Sequence, residues 1–376
     1  MDSTPAVDTR SGSPSLEPLH DAAGAVWAEV GGRRVVRHYG DSLAEYRAVR
    51  ESAGVAERCD RARIRLWGKD PVRMVQGLIT NDLAGAPAGQ GVYAALLTPK
   101  GRTIADLRAF RRDLPTGVEV LLDLSRDALE GTREHLKKFV PPMFARWADA
   151  SDELAALGVY GPRAAELVGQ VLGADVGGMA EDANREALFD EVPVLVAATR
   201  YVGLEEGFDL FVPADAASAL WKALVDAGAR PVGQGALETL RIEAGRPRYG
   251  AELTEEVIPT EAFEETGLLG RAISFTKGCY TGQEVIIRIA HRGHVNRHLR
   301  GLLLGDAPAA APGTPLFNPA SGRESGRLTS VAWSPRLAQT VALGYVRREV
   351  EPGGTVRLGS AEGTEARVVR LPFDAA

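Results

Sequence analysis

Cysteine is nearly absent: Cys59 and Cys279 are the only two in 376 residues. They lie far apart with no paired spacing, which excludes a disulfide framework and a self-contained Cys-x-x-Cys metal site and fits a reducing compartment. No run of about 18 apolar residues occurs, so no membrane-spanning helix is expected. The stretch Met1 to Pro18, rich in Ser, Pro, Asp and Thr, has neither a basic start nor an apolar core. It reads as a loose tail rather than a secretory signal, and the expected location is the cytoplasm. A glycine loop followed by Lys-Ser or Lys-Thr, a Gly-x-Ser-x-Gly elbow and a His-Glu-x-x-His pair are all missing. Phosphate cradles, serine hydrolases and zincins are therefore not supported. Lysine is scarce, 6 residues against 38 arginines, which makes a lysine inside a motif less of a filler.

Net positive charge is missing too. At -6 with 25% charged residues, the chain is not one that grips nucleic acid over its whole surface, although a local basic patch is compatible with it. What is present is ordinary for a globular protein, 45% hydrophobic, and long enough for two or three domains.

Start signals are legible along the chain. Ser42 can cap a helix from Leu43 to about Ser52, Asp70-Pro71 gives a cap and a first-turn proline, and Ser125 opens a helix from Arg126 to about Lys138. Tyr93 to Phe110 reads as a hairpin about Thr98-Pro99-Lys100-Gly101, with Asp106 in its second arm. Short strands at Val194 to Ala198 and Phe208 to Val212 precede helices at Ala214 to Ala227 and Gln234 to Ala244. From about Arg300 short β-rich runs divided by Gly and Pro predict a small antiparallel barrel. The fold class is α+β.

The most specific stretch is Lys277-Gly278-Cys279-Tyr280-Thr281-Gly282-Gln283-Glu284. Thr281 and Glu284 have the spacing of a capping box before Val285, Ile286 and Ile289, which predicts a helix starting at Thr281. A helix start favours a nearby anion by about 0.3 to 1 kcal/mol. With Lys277 adding a formal charge, Cys279 is where a nucleophilic or metal-ligating thiolate is expected.

Several blocks together resemble the YgfZ family of folate-binding proteins, within the superfamily of the glycine cleavage T protein, an aminomethyltransferase. They are Leu19-His20, Glu45 to Arg50, Thr80-Asn81-Asp82, Tyr93 with Lys100-Gly101-Arg102 to Asp106-Leu107, Gly161-Pro162, Leu240 to Gly245, Ile258-Pro259 and the octapeptide. The resemblance spans most of the chain, and only the octapeptide is specific to the YgfZ branch. It implies three subdomains arranged as a cloverleaf around a folate-sized channel: a tail at 1–18, a folate-binding region of two α+β subdomains at 19–298, and a barrel at 299–376. Asp106 and Tyr93 match channel positions of the T protein, Glu205 takes the place of its Gly-Tyr-Thr-Gly-Glu glutamate, and Tyr201 is a further channel candidate. A carboxylate suits a pterin, whose ring offers two parallel donors. Leu237 stands where the T protein has an arginine for its aminomethyl-lipoyl partner, Ala105 replaces the first of its aspartate pair, and Arg61 stands where one YgfZ member stacks a tryptophan on folate.

The resemblance thus implies a protein that binds tetrahydrofolate or a derivative and acts, through Cys279, Lys277 and Asp106, as an accessory factor for iron-sulfur enzymes with an indirect effect on tRNA. The alternative is a tetrahydrofolate-dependent aminomethyl or methyl transferase, and a further one is direct RNA binding. His291, His294 and His298 are interleaved with Arg288, Arg292, Arg297 and Arg300. Seven basic groups so close together would repel a cation, so the stretch is expected to be a solvated basic face or an anion site for a folate tail, RNA phosphate or an acidic partner, with no metal.

Overall fold

The computed structural model describes residues 16–203, 206–305 and 310–373. Of the stretch read as tail, residues 1–15 lie outside these, and the helix Glu17–Ala22 begins within the rest. Asp70 caps the helix Pro71–Gln76 as expected, accepting from the Arg73 amide at 3.2 Å. The earlier helix, Ser42–Glu51, is capped one residue before the expected position, where the Asp41 carboxylate accepts from the Ala44 amide at 2.9 Å. A carboxylate there also complements the helix dipole. The helix expected after Ser125 starts as a 3₁₀ turn, Arg126–Ala128, and becomes α-helical at Leu129–Phe139.

Three β units carry the fold. In the first, antiparallel strands run in the order Val92–Leu97, Thr103–Leu114, Gly117–Ser125, Arg61–Trp67 and Arg146–Asp149. The strand period of two divides Thr103–Leu114 between faces. Ala105, Leu107 and Ala109 join Val75 and Leu136, from the helices Pro71–Gln76 and Leu129–Phe139, in one core. Phe110, in step with Asp106 and Arg108, belongs to a separate cluster with Leu195, Ala197 and Phe211 of the second sheet. The rings of Phe110 and Phe211 stand 5.9 Å apart. That second sheet has the order Asn184–Phe189, Val192–Ala198, Gly207–Pro213, Leu154–Tyr160, Gly54–Glu57 and Arg230–Pro231, only the last pair being parallel. Its core is shared with the helices Ala164–Leu172 and Ala217–Asp226.

The third unit is a closed antiparallel barrel of six strands between Arg297 and Val369. Closure removes the edges that an open sheet would leave. A further core welds it to the first sheet, joining Tyr93, Leu97, Phe263, Ile286, Leu299 and Tyr345. Among the described residues no helix is long and apolar enough to cross a membrane.

The octapeptide does not form the expected capping box. Its helix is Gln283–Arg292, and the cap is Gly282 in the left-handed region at φ +83°, with no side-chain cap. A Cβ at 282 would lie 2.6 Å from the Thr98 carbonyl and 3.0 Å from Leu97, so only glycine lets the chain come this close to the hairpin. Gly101, at φ +72°, faces Val285 of the helix in the same way, with 2.8 Å to an added Cβ. Seating of the helix on the hairpin turn overrides the local cap, and the Thr281 amide goes to the Gly77 carbonyl at 3.2 Å.

Candidate functional site

Two strands present the reacting candidates. Tyr93 pairs across the hairpin with Arg108, and Ala95 with Asp106. The Tyr93 hydroxyl donates to Asp106 Oδ2 at 3.1 Å, while Asp106 Oδ1 is buried with no hydrogen-bond partner. Burial raises the Asp106 pKa above the ordinary aspartate value; the charge of Arg61 and the Tyr93 hydrogen bond oppose the rise. Burial likewise pushes Tyr93 well above the ordinary tyrosine value, so it stays a neutral donor.

Behind them lies a network of fixed charges. Arg108 donates to Asp123 Oδ2 through Nε at 3.0 Å and Nη2 at 2.6 Å, and also to Asp209 of the second sheet. Arg61 Nε reaches Asp123 Oδ1 at 2.8 Å. The Tyr160 hydroxyl donates to Asp209 Oδ1 at 2.6 Å and accepts from Arg58 at 2.5 Å, and Arg58 forks onto Asp60 at 2.9 and 3.0 Å. Burial works against the charge on Asp123, but Arg61 and Arg108 hold its pKa well below the ordinary carboxylate range. Burial also works against Arg108, and Asp123 and Asp209 more than offset it. Arg108 still has Nη1 buried without a partner.

Of these side chains, Tyr93, Asp106, Arg58, Arg61, Arg108 and Asp209 line a narrow cleft of about 50 Å³ between the two sheets. Tyr201 is at the wall with the Arg58 guanidinium 5.0 Å from its ring centre, and Arg271 lies 4.8 Å over the Tyr93 ring. Arg58, Arg61, Arg108, Arg246 and Arg271 face Asp106, Glu181 and Asp209, so guanidinium outweighs carboxylate. A ligand rich in acceptors is favoured here, with one donor position reserved for Asp106 Oδ1.

The structure brings Tyr93, Asp106 and Tyr201 together in this cleft. Glu205 lies outside the described residues. Cys279 is exposed, and neither it nor Lys277 lines the cleft. The Lys277 ammonium is spent on the carbonyls of Gln76, Ile79 and Asn81, at 2.6, 2.8 and 2.8 Å. Burial pulls it down to about 8, against the pull of Asp82. A lysine that satisfies three carbonyls is a brace for the 76–82 loop, a role the sequence reading did not include.

Within the basic stretch Arg288 sits on Glu284 at 2.6 Å, Arg297 on Glu261 at 3.2 Å, Arg300 on Glu265, and His298 lies 3.6 Å from Glu264, so these four are met by carboxylates, while the side chains of His291 and Arg292 lie outside the described ones. Among the described residues no group of three or more His, Cys, Asp or Glu is placed to hold a metal. Sequence reading missed Arg58, Arg108, Arg246, Arg271, Glu181 and Asp209. For Arg108 a signal existed: in Ile104-Ala105-Asp106-Leu107-Arg108-Ala109-Phe110 two charges recur at strand period inside an apolar run.

Residues 16–277 match the GCVT N-terminal domain family, and residues 297–374 match the glycine cleavage T-protein C-terminal barrel domain. The chain is 32% identical over 354 residues to an aminomethyltransferase of Rubrobacter xylanophilus, covering 94% of this chain and 92% of that one. It is 32% identical over 361 residues to an aminomethyltransferase of Moorella thermoacetica, covering 94% and 95%. The fold matches the crystal structure of the glycine cleavage system aminomethyltransferase T from Bartonella henselae with a TM-score of 0.84, at 24% identity over 96% of this chain and 97% of that one. Full-length relatives with that name overturn the expectation of an iron-sulfur accessory factor with client enzymes and an effect on tRNA.

Proposed function

The chain belongs to the glycine cleavage T-protein family, and we propose that it transfers a one-carbon unit from an amine-bearing donor to tetrahydrofolate. The observation that carries this reading is a pair of orphaned atoms on two residues that line the cleft, Asp106 Oδ1 and Arg108 Nη1, one able to accept and the other to donate. Buried polar atoms without partners are costly, about 1 to 3 kcal/mol each, and a bound folate with donors and acceptors on adjacent ring positions offsets that cost. Every cleft-lining residue falls between Arg58 and Arg271. That supports assigning folate binding to 19–298 and a supporting role to the barrel at 299–376.

In aminomethyl transfer the carbon gives up its bonds to sulfur and to nitrogen and gains bonds to folate N5 and N10. The two hydrogens leaving those nitrogens end on the thiol and on ammonia. Asp106 takes the role of the base, because a carboxylate with a raised pKa accepts a proton more readily. Tyr93 orients it, and Tyr201 gives the ligand an aromatic wall. Leu237 is buried in an apolar cluster with Tyr46, Val49 and Leu240. A leucine there offers no grip on an anionic carrier, so the donor is held differently from that of the T protein. The octapeptide 277–284 still resembles the YgfZ branch, a statement about lineage within the family.

Purified protein is given tetrahydrofolate and an aminomethyl-lipoyl carrier. Tetrahydrofolate binds, methylenetetrahydrofolate forms, and Asp106→Asn lowers the rate by about a hundredfold or more. Binding with no transfer from this donor or from a methylamine donor overturns the transferase reading, and absence of folate binding overturns the site itself.

A further inference from the structure

The cleft does not end at its arginine-rich chamber. It shares Tyr93, Glu181 and Arg271 with a second chamber of about 340 Å³ that opens outward. There the charge balance inverts: Asp82, Glu181 and Asp182 line it with Arg271 as the lining cation. That guanidinium is already engaged, giving Nε and Nη2 to Asp182 Oδ2 at 3.0 and 2.7 Å and Nη1 to Glu181 at 3.0 Å.

Asp182 is the unusual member. It is 3% exposed, yet its Oδ1 has no hydrogen-bond partner. Its backbone is in the left-handed region at φ +65°, which favours glycine and which aspartate tolerates better than most. The Asp182 amide and carbonyl are both engaged, with the Ala198 carbonyl at 3.1 Å and the Gly91 amide at 2.8 Å, so the residue is pinned between the two sheets. A pinned, buried carboxylate that lines an acidic chamber, with one oxygen held by Arg271 and the other unpartnered, asks for a cation with a hydrogen to give.

We propose that the outer chamber is a subsite for a small organic ammonium group, with Asp182 Oδ1 as its acceptor and Asp82 and Glu181 supplying the field. Resting on the transferase reading, it is where the amine end of the one-carbon donor waits, separated from the folate chamber by Tyr93 and the Arg271 guanidinium stacked on it. Chambers of opposite sign tell the two substrates apart, and the donor's carbon is passed to folate once its amine end leaves this subsite past Tyr93.

Propylammonium chloride is titrated into the full chain by calorimetry and followed by NMR, with sodium propionate and 1-propanol as charge controls at matched ionic strength. Propylammonium saturates a single site, and the two controls bind at least tenfold more weakly. Asp182→Asn, nearly isosteric and tolerant of the same φ, weakens propylammonium at least tenfold while tetrahydrofolate affinity stays within twofold. In turnover it raises the donor KM with little change in kcat. Asp82→Asn weakens propylammonium severalfold and serves if Asp182→Asn fails to fold. Propylammonium binding no tighter than 1-propanol, or with the same affinity in both variants, overturns the subsite. Ammonium binding without any tetrahydrofolate binding keeps the chamber and sinks the transferase reading instead.

Discussion

At the scale of the residue, Asp106 is the proposed base, and its environment gives that role a pH profile. Burial raises its pKa above the ordinary 3.8, so between that value and the folded one the native chain holds more protons than the unfolded chain. The contribution of Asp106 to stability therefore falls as pH rises through that window, while its capacity as a base grows. The acid limb of kcat/KM, which reports the free enzyme, should lie above the ordinary aspartate value. Tyr93→Phe removes the hydrogen bond that favours the carboxylate, so the limb moves to still higher pH in a rate profile. An unmoved limb separates the activity from Asp106. That Asp106 and Tyr93 share one hairpin was legible beforehand, because a hairpin has a fixed register, while their choice as site candidates came from the family resemblance. The bracing role of Lys277 was missed because its partners are carbonyls 196 to 201 residues away, and backbone acceptors leave no mark in a sequence.

At the scale of the element, caps and hairpins were readable to within a residue or two, since their causes are local. The helix Gln283–Arg292 was the exception: Thr281 and Glu284 had the right spacing, but tertiary contact with the Thr98–Gly101 turn decided the start. Gly282→Ala should destabilise the protein by roughly 1 to 3 kcal/mol, through a left-handed φ and a backbone clash. Thr281→Ala should stay within about 0.5 kcal/mol because no side-chain cap is lost. Urea unfolding of the two variants checks the ranking, and an equal loss would restore the capping box. The outer chamber was not legible because Asp182 sits in a connecting segment, where no periodicity constrains a side chain's direction.

For the whole molecule, the floor of the cleft is also the joint between two sheets. Asp209 is buried in the second sheet and takes Arg108 from the first, along with Tyr160 and the nearby Arg58. Asp209→Ala leaves Arg108 to Asp123 and Arg58 to Asp60 and takes the acceptor from the Tyr160 hydroxyl, and should cost about 1 to 3 kcal/mol in denaturant unfolding. Breaking the exposed pair Arg163–Glu166 should leave the unfolding midpoint unmoved. A loss confined to tetrahydrofolate binding, with stability intact, would show that the joint does not depend on this network. The three-unit architecture was visible from the change of texture near Arg300 and from the family blocks, but which charges cross between sheets was not, since pairing at that distance depends on the finished fold.

The Lys277 brace sets an order in time. The loop at 76–82, whose Asn81 and Asp82 wall the outer chamber, is held by an ammonium that the ribosome adds some two hundred residues later. A nascent chain ending before Lys277 has its hairpin strands and the sequence of the first sheet, but three carbonyls of that loop have no donor. The chamber wall is thus completed late in synthesis, and a fragment truncated at residue 276 should show fast amide exchange in this loop even where its strands are protected.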